Sequence, residues 1–335
     1  MGKLHVYSPK EIADMTSLRR SETKLGECLN ILSDLSDLSA SPSKFVLVGL
    51  PEDVGVRANL GIGGAHTAWD PTLKAFLNIQ STTLFIGREI ALLGYLDFTR
   101  EMAAANQCDL KTELGLNQIR KLVAEIDNCV FNLILQIVQA KKTPIIIGGG
   151  HNNSYPILKA LSLHHQQAIN TINLDAHADF RAMEGRHSGN GFSYAMHEGY
   201  LSQYAVIGLH ENYNSHPVVS QLSNNTQQIF HSFFEDNLRK KIACNDDFDK
   251  ALLFTRGICG LEIDLDCMAG VLSSASSLTG FSITQVREMI AQTTTQEMAY
   301  LHIAEGASEL SDGRKEPLIG KLIATLISDF VKAQQ

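Results

Sequence analysis

Six short runs in this chain are β-rich and largely apolar, and each stops at a glycine or a polar cluster: KFVLVGLPED, TPIIIGGGHNN, TINLDAHAD, QYAVIGLHEN, GICGLEIDLD and MAYLHIAEG. Between them lie segments with apolar residues at helical spacing, such as LNQIRKLVAEIDNCVFNLILQIVQA and SITQVREMIAQTTTQ. A strand without a polar face needs cover on both sides, so the alternation predicts an α/β chain built on a parallel sheet with helices on both faces. In such open sheets ligands bind beyond the carboxyl ends of the strands, which gathers the polar clusters on one edge. With 335 residues, 44% of them hydrophobic, the chain suffices for one large domain or two ordinary ones. No break divides it. Residues 1–44 read as a helical segment and a linker, LSDLSDLSASPSK, and 45–335 as a single domain. The stretch from LSNNTQQIF to ACNDDFDK reads as a surface excursion with its own helix.

The cluster after the third run, in TINLDAHADFR, sets Asp175, His177 and Asp179 at every second position. In an extended strand these side chains share a face. Carboxylates brought so close repel and lose solvation, at a cost of several kcal/mol unless cations or hydrogen bonds compensate. A metal answers that need, although for this cluster alone a solvated strand end would also serve. In GGGHNNSYP the glycines free the backbone for a tight turn that delivers His151 to the same edge, and neither a P-loop lysine nor a GxGxxG pattern accompanies them. In GLEIDLD, Glu262, Asp264 and Asp266 alternate again. Counting His151, Asp175, His177, Asp179 and two carboxylates of the last cluster gives six ligands. That set suits hard or borderline divalent ions, Mn²⁺ before Zn²⁺, and holds two if Asp175 and Glu262 bridge. Two-metal sites activate water for hydrolysis at neutral pH.

The net charge of −8, without blocks of Lys or Arg, argues against a nucleic-acid or anionic-membrane partner. MGKLHVYSPKEIADM lacks the apolar core of a signal peptide, and no apolar run approaches the ~20 residues of a spanning helix. A cytoplasmic protein is therefore expected, and its six scattered cysteines are expected to be reduced.

Taken in order, GGGHNN, LDAHADFR, HSGNGFSYA, GLEID and HIAEG resemble the ureohydrolases: arginase, agmatinase and formimidoylglutamase. VGLPEDVGVRANLGIGGAHTAWDP is similar to that family's opening strand and glycine-rich loop, and the likeness spans about 45–330. The resemblance implies a three-layer α/β/α sandwich on a mostly parallel sheet of about eight strands. It implies two Mn²⁺ per chain, one on His151, Asp175, Asp179 and Glu262 and the other on Asp175, His177, Glu262 and Asp264. Glu262 then stands where the family carries Asp, and Asp266 falls outside the ligand set, either supporting the ligands from behind or serving the structure. Glu305 matches a glutamate near the amidine or guanidine end of the substrate, and would act in catalysis with Asp175 and His177. Phe192 replaces the proton-transferring histidine of arginase-like members. Phe192 and the GGGH motif favour the formimidoylglutamase branch.

Arg181 and Arg186 flank the site and are candidates to clamp a glutamate carboxylate, with Ser188, Asn190 and Asn59 as further substrate contacts. The expected reaction is hydrolysis of N-formimidoyl-L-glutamate, a small-molecule substrate, to L-glutamate and formamide. Two rivals stay open: a guanidino substrate, as in arginase or agmatinase, and a metal-poor binding or regulatory protein. The family also implies a homo-oligomer.

Overall fold

The computed structural model describes residues 2–240 and 243–335. Its strands in chain order are β1 (Lys3–His5), β2 (Asn30–Ile31), β3 (Phe45–Gly49), β4 (Ile90–Asp97), β5 (Thr143–Ile147), β6 (Ile169–Leu174), β7 (Leu201–Leu209), β8 (Ile229–Phe233), β9 (Cys259–Asp264) and β10 (Met298–Ala304). They form one sheet of order β1-β4-β3-β5-β10-β9-β6-β7-β8, with β2 also paired to β4. Only β1 runs antiparallel to its neighbour. The mostly parallel α/β sandwich is as expected, with ten strands among the described residues rather than about eight.

Period-two alternation divides the strand residues between two cores. Phe45, Leu47, Ile145, Ile147, Leu261, Ile263, Leu301 and Ile303 face one side, where helices Trp69–Leu77 and Ile319–Ala333 cover them. Val46, Val48, Ile146, Tyr204, Val206 and Tyr300 face the other, under helices Glu113–Gln139 and Ser154–His165. By length and composition Glu113–Gln139 is apolar enough to cross a membrane, contrary to the sequence reading. Its stripe of Ile119, Val123, Ile126, Val130, Ile134 and Ile137 is instead fully buried in this second core.

Two further expectations change. Residues 1–44 hold a helix, Pro9–Met15, but also contribute β1 and β2 to the sheet, and Leu32 and Leu38 of the supposed linker are buried. The stretch between β7 and β9 contains β8 and, among the described residues, three helices, His216–Asn224, Phe234–Lys240 and Cys244–Phe254, rather than one.

The second face of the sheet is not wholly apolar. Asn173, Glu262 and His302 are ladder partners in a row across β6, β9 and β10, so their side chains lie abreast. Tyr300 stands two residues before His302 on the same face. It fits over Gly260, where any Cβ would collide with its ring. This polar seam leads to the carboxyl edge, where the chain places its metal-ligating residue types.

Candidate metal centre

His151 reaches the edge because Gly148 and Gly149 turn the chain after β5 with φ of +86° and +75°, a region open to glycine at no steric cost. Glu52 then fixes the loop from below. Its Oε1 accepts from Gly150 N at 3.0 Å and Asn153 Nδ2 at 2.8 Å, while Oε2 accepts from Val54 N at 2.7 Å. Glu305, at φ +64° after β10, completes the brace: Gly149 O accepts its N–H at 3.0 Å, and its Oε1 accepts from His151 N at 2.9 Å.

Asp175, His177 and Asp179 do converge, though not by strand alternation. β6 ends at Leu174, and the residues beyond it form a loop in which Asp179 is left-handed, at φ +46°. Asp tolerates that region better than most side chains. Asn214 holds the loop open, accepting from Ala178 N at 2.9 Å and donating to Ala176 O at 3.1 Å. On the other side β9 ends at Asp264, whose Oδ1 accepts from Asp266 N at 2.9 Å and so caps the turn Leu265–Cys267. That turn swings Asp266 up beside Asp264.

Among the described residues three candidate ligand groups result, two of them around Asp175 and a third of His151, Glu262 and His302. Around His151 Nδ1 stand Asp179 Oδ2 at 2.9 Å, Asp175 Oδ2 at 3.2 Å and Asp264 Oδ2 at 3.3 Å. Around His177 Nδ1 stand Asp266 Oδ2 at 2.8 Å and Asp175 Oδ1 at 3.8 Å. In each group the candidate ligand atoms lie within 4.8 Å of one another, and Asp175 belongs to the two just described. The bridging place expected of Glu262 is not observed: Glu262 groups with His151 and His302 rather than with Asp175, and Asp266, expected outside the ligand set, joins His177. Glu262 lies within the strand, one row below the edge, where Tyr300 Oη and His302 Nδ1 hold its two oxygens at 2.7 and 2.6 Å.

The arrangement fits divalent cations. Both ring nitrogens of buried His151 and Oδ1 of Asp266 lack a hydrogen-bond partner, a costly condition unless something else meets them. Burial, then the Asp179 carboxylate, pushes Asp175 up to about 7. Burial and then Asp266 raise Asp264 well above the usual carboxylate range, and burial pushes Glu305 up to about 8. Four aspartates and two imidazoles sharing one carboxylate make a donor set for a pair of hard or borderline ions.

A cavity of about 580 Å³ opens over the centre, with His177, Asp264, Asp266 and Glu305 in its floor and Asn59, Arg181 and Ser188 in its wall. Among the described residues Arg181 is the only arginine or lysine in that lining, and its Nη1 donates to Asn59 Oδ1 at 2.6 Å. Tyr213, which sequence reasoning missed, stacks on His177 with ring centroids 5.7 Å apart. The only hint was its place in the polar cluster after β7.

Arg186, Asn190 and Phe192 do not line the cavity. Arg186 is buried between Tyr155 and Tyr194 and donates to Asp127 Oδ2 at 2.8 Å, Asn190 Oδ1 at 2.7 Å and Asn152 O at 2.8 Å. Asn190 Nδ2 is used by the carbonyls of Ala182 and Gly185. Neither residue has a free group for a substrate, so both substrate-binding assignments are corrected. Arg186→Ala strands the buried Asp127 carboxylate and is expected to destabilise the fold by about 3–5 kcal/mol, read as a fall in the denaturant midpoint. Phe192 packs inward, its ring 4.4 Å from Tyr204 and edge-on to His151 at 5.2 Å.

Comparison with known proteins agrees with this architecture. The family model described as Arginase family matches residues 44–327. A formimidoylglutamase of Macrococcus caseolyticus is 28% identical over 242 residues, which cover 69% of this chain and 72% of the relative. A formiminoglutamase variant of Trypanosoma cruzi, solved with Mn²⁺, superposes with a TM-score of 0.70 at 18% identity, covering 93% of this chain and 98% of that one. A hypothetical agmatinase of Burkholderia thailandensis superposes equally well, with a TM-score of 0.70 at 14% identity and 95% and 96% of the two chains covered. At these identities the superpositions speak for the fold alone. The sequence match over 44–327, on a chain with this sheet and this edge, makes the protein a member of the arginase family.

Proposed function

We propose that this chain, a hydrolase acting on C–N bonds, uses two Mn²⁺ ions to hydrolyse a linear amidine, N-formimidoyl-L-glutamate, to L-glutamate and formamide. The observation that carries the reading is the pairing of a carboxylate-rich floor with an arginine in the wall, Arg181. An acidic floor alone accepts any cationic amidine or guanidine; a substrate that also bears carboxylates needs a positive anchor. The name of the Macrococcus relative supports the same substrate.

His151, Asp175, Asp179 and Asp264 would hold one ion, and Asp175, His177 and Asp266 the other. When bound, the ions supply activated water and polarise the C=N group. Arg181, with Asn59 and Ser188 behind it, positions the glutamate end against the wall. Glu305 keeps Oε1 on the His151 amide and offers its other oxygen to the amidine nitrogens. Glu305, in the cavity floor, is the carboxylate that would relay the attacking water's proton to the departing amine.

The test is turnover by the Mn²⁺-loaded protein of formimidoylglutamate, arginine, agmatine and guanidinobutyrate, side by side. Formimidoylglutamate is expected to have the highest kcat/KM. A preference for agmatine would transfer the assignment to the guanidino branch, and no turnover of any of the four would refute the hydrolytic reading.

A further inference from the structure

Glu262 is a fully buried carboxylate that neither faces the cavity nor belongs to either ligand group around Asp175. Its surroundings are unusually specific. Oε1 accepts from Tyr300 Oη at 2.7 Å, and Tyr300 Oη is itself 3.0 Å from Thr171 Oγ1. Oε2 lies 2.6 Å from His302 Nδ1, and the far side of that ring, Nε2, is 3.3 Å from the Gly148 carbonyl. Two strands and a turn thus fix the carboxylate, and its free approach is aimed upward. There it meets His151, whose Nε2 is 3.4 Å from Oε2, an electrostatic contact without hydrogen-bond geometry in the metal-free protein.

The two nitrogens of His151 therefore have different fates. Nδ1 faces Asp175, Asp179 and Asp264, where an ion would bind, and Nε2 faces Glu262. A neutral imidazole carries its proton on one nitrogen only, and the nitrogen that binds metal must be the bare one. A carboxylate beside Nε2 favours the proton on that nitrogen and leaves the Nδ1 lone pair for the ion. A negatively charged acceptor also makes the ring a stronger donor.

We propose that Glu262 is a positioning residue for the metal centre: through His151 it fixes the tautomer and ring orientation of that ligand, and it is itself aligned by Tyr300 and His302. This rests on the two-ion reading above. It also accounts for a glutamate at this point in the strand, since its length spans from β9 to the His151 ring while Tyr300 and His302 saturate its remaining lone pairs.

The experiment is calorimetric titration of the metal-free protein with Mn²⁺, paired with electron paramagnetic resonance of the bound ions, for wild type and E262Q. Glutamine keeps the shape but offers His151 an uncharged oxygen or an N–H. Affinity for one ion, that on His151, is expected to fall about 10- to 100-fold, and the ion on His177 and Asp266 is expected to keep its affinity. The spin-coupled signal of an ion pair should give way to that of an isolated Mn²⁺ at concentrations that fill both sites in wild type. A residue that merely filled the sheet interior would lower thermal stability and weaken both ions together, and that outcome overturns the proposal. So do unchanged affinities in E262Q. Should E262Q fail to fold, Y300F removes one of the two groups aligning the carboxylate and is expected to weaken the same ion several-fold; Y300F with both affinities intact overturns the proposal. Wild type that binds no Mn²⁺ at all would overturn the two-ion reading as well, whereas two tight ions in both wild type and E262Q would overturn only this inference.

Discussion

Asp175→Asn is expected to empty the whole centre while the fold survives. Asp175 is the one residue common to the two ligand groups of the proposed ion pair, so removing its charge weakens two sites at once. The stoichiometry of bound Mn²⁺ should drop from about two per chain, the number a binuclear site holds, to near zero in elemental analysis after gel filtration, and turnover should be lost with it. Two local effects oppose each other in the metal-free protein. Asparagine relieves the repulsion that, after burial itself, pushes Asp175 up to about 7. It also leaves one of two donors, Asn173 Nδ2 or the His177 N–H, facing an amide group instead of an oxygen. The metal-free melting temperature should therefore move little. Added metal should change from stabilising to inert: Mn²⁺ at a hundred times its Kd contributes about 2.7 kcal/mol for each site in wild type, and the variant should show none of it. Retention of both ions by Asp175→Asn would mean that the two groups do not share this residue.

Arg181→Ala is expected to raise KM for formimidoylglutamate about 10- to 100-fold with kcat and metal content nearly unchanged. A charged hydrogen bond to a carboxylate contributes roughly 1.5–3 kcal/mol, and each 1.4 kcal/mol is about tenfold in affinity. The guanidinium is half exposed at the cavity wall and leans on Asn59, so its removal leaves no buried charge behind. Agmatine has no carboxylate, and its KM should not respond to the substitution. If formimidoylglutamate binds the variant as tightly as wild type, Arg181 is not the anchor and the carboxylate reading of this wall is wrong.

The sheet was legible because its strands announce themselves: an apolar run that halts at Gly or Asp is a buried parallel strand whichever helices cover it. The clusters at the edge were legible for the same reason. What failed was depth along the strand. Glu262, Asp264 and Asp266 form two acidic i, i+2 pairs that no periodicity distinguishes, and only the end of the β9 ladder and the turn capped by Asp264 decide which pair reaches the cavity. Arg186 failed for another reason. Its charge is met by Asp127, far away in sequence on the long helix, and a contact of that separation leaves no local mark. β1 and β2 are three and two residues long, too short for any pattern.

Those two small strands have a consequence for how the molecule can be handled. Tyr95, Leu96 and Asp97 of β4 pair with β1, and Ala91 and Leu92 pair with β2, so both lie along the outer side of the same long strand. Without them β4 would end the sheet with its amides and carbonyls open along most of an apolar strand, the kind of template on which a second chain adds itself. Residues 3–31 thus act as an anti-aggregation guard. A fragment trimmed to residues 44–327, the span the family model matches, would keep every group at the metal centre and lose the guard.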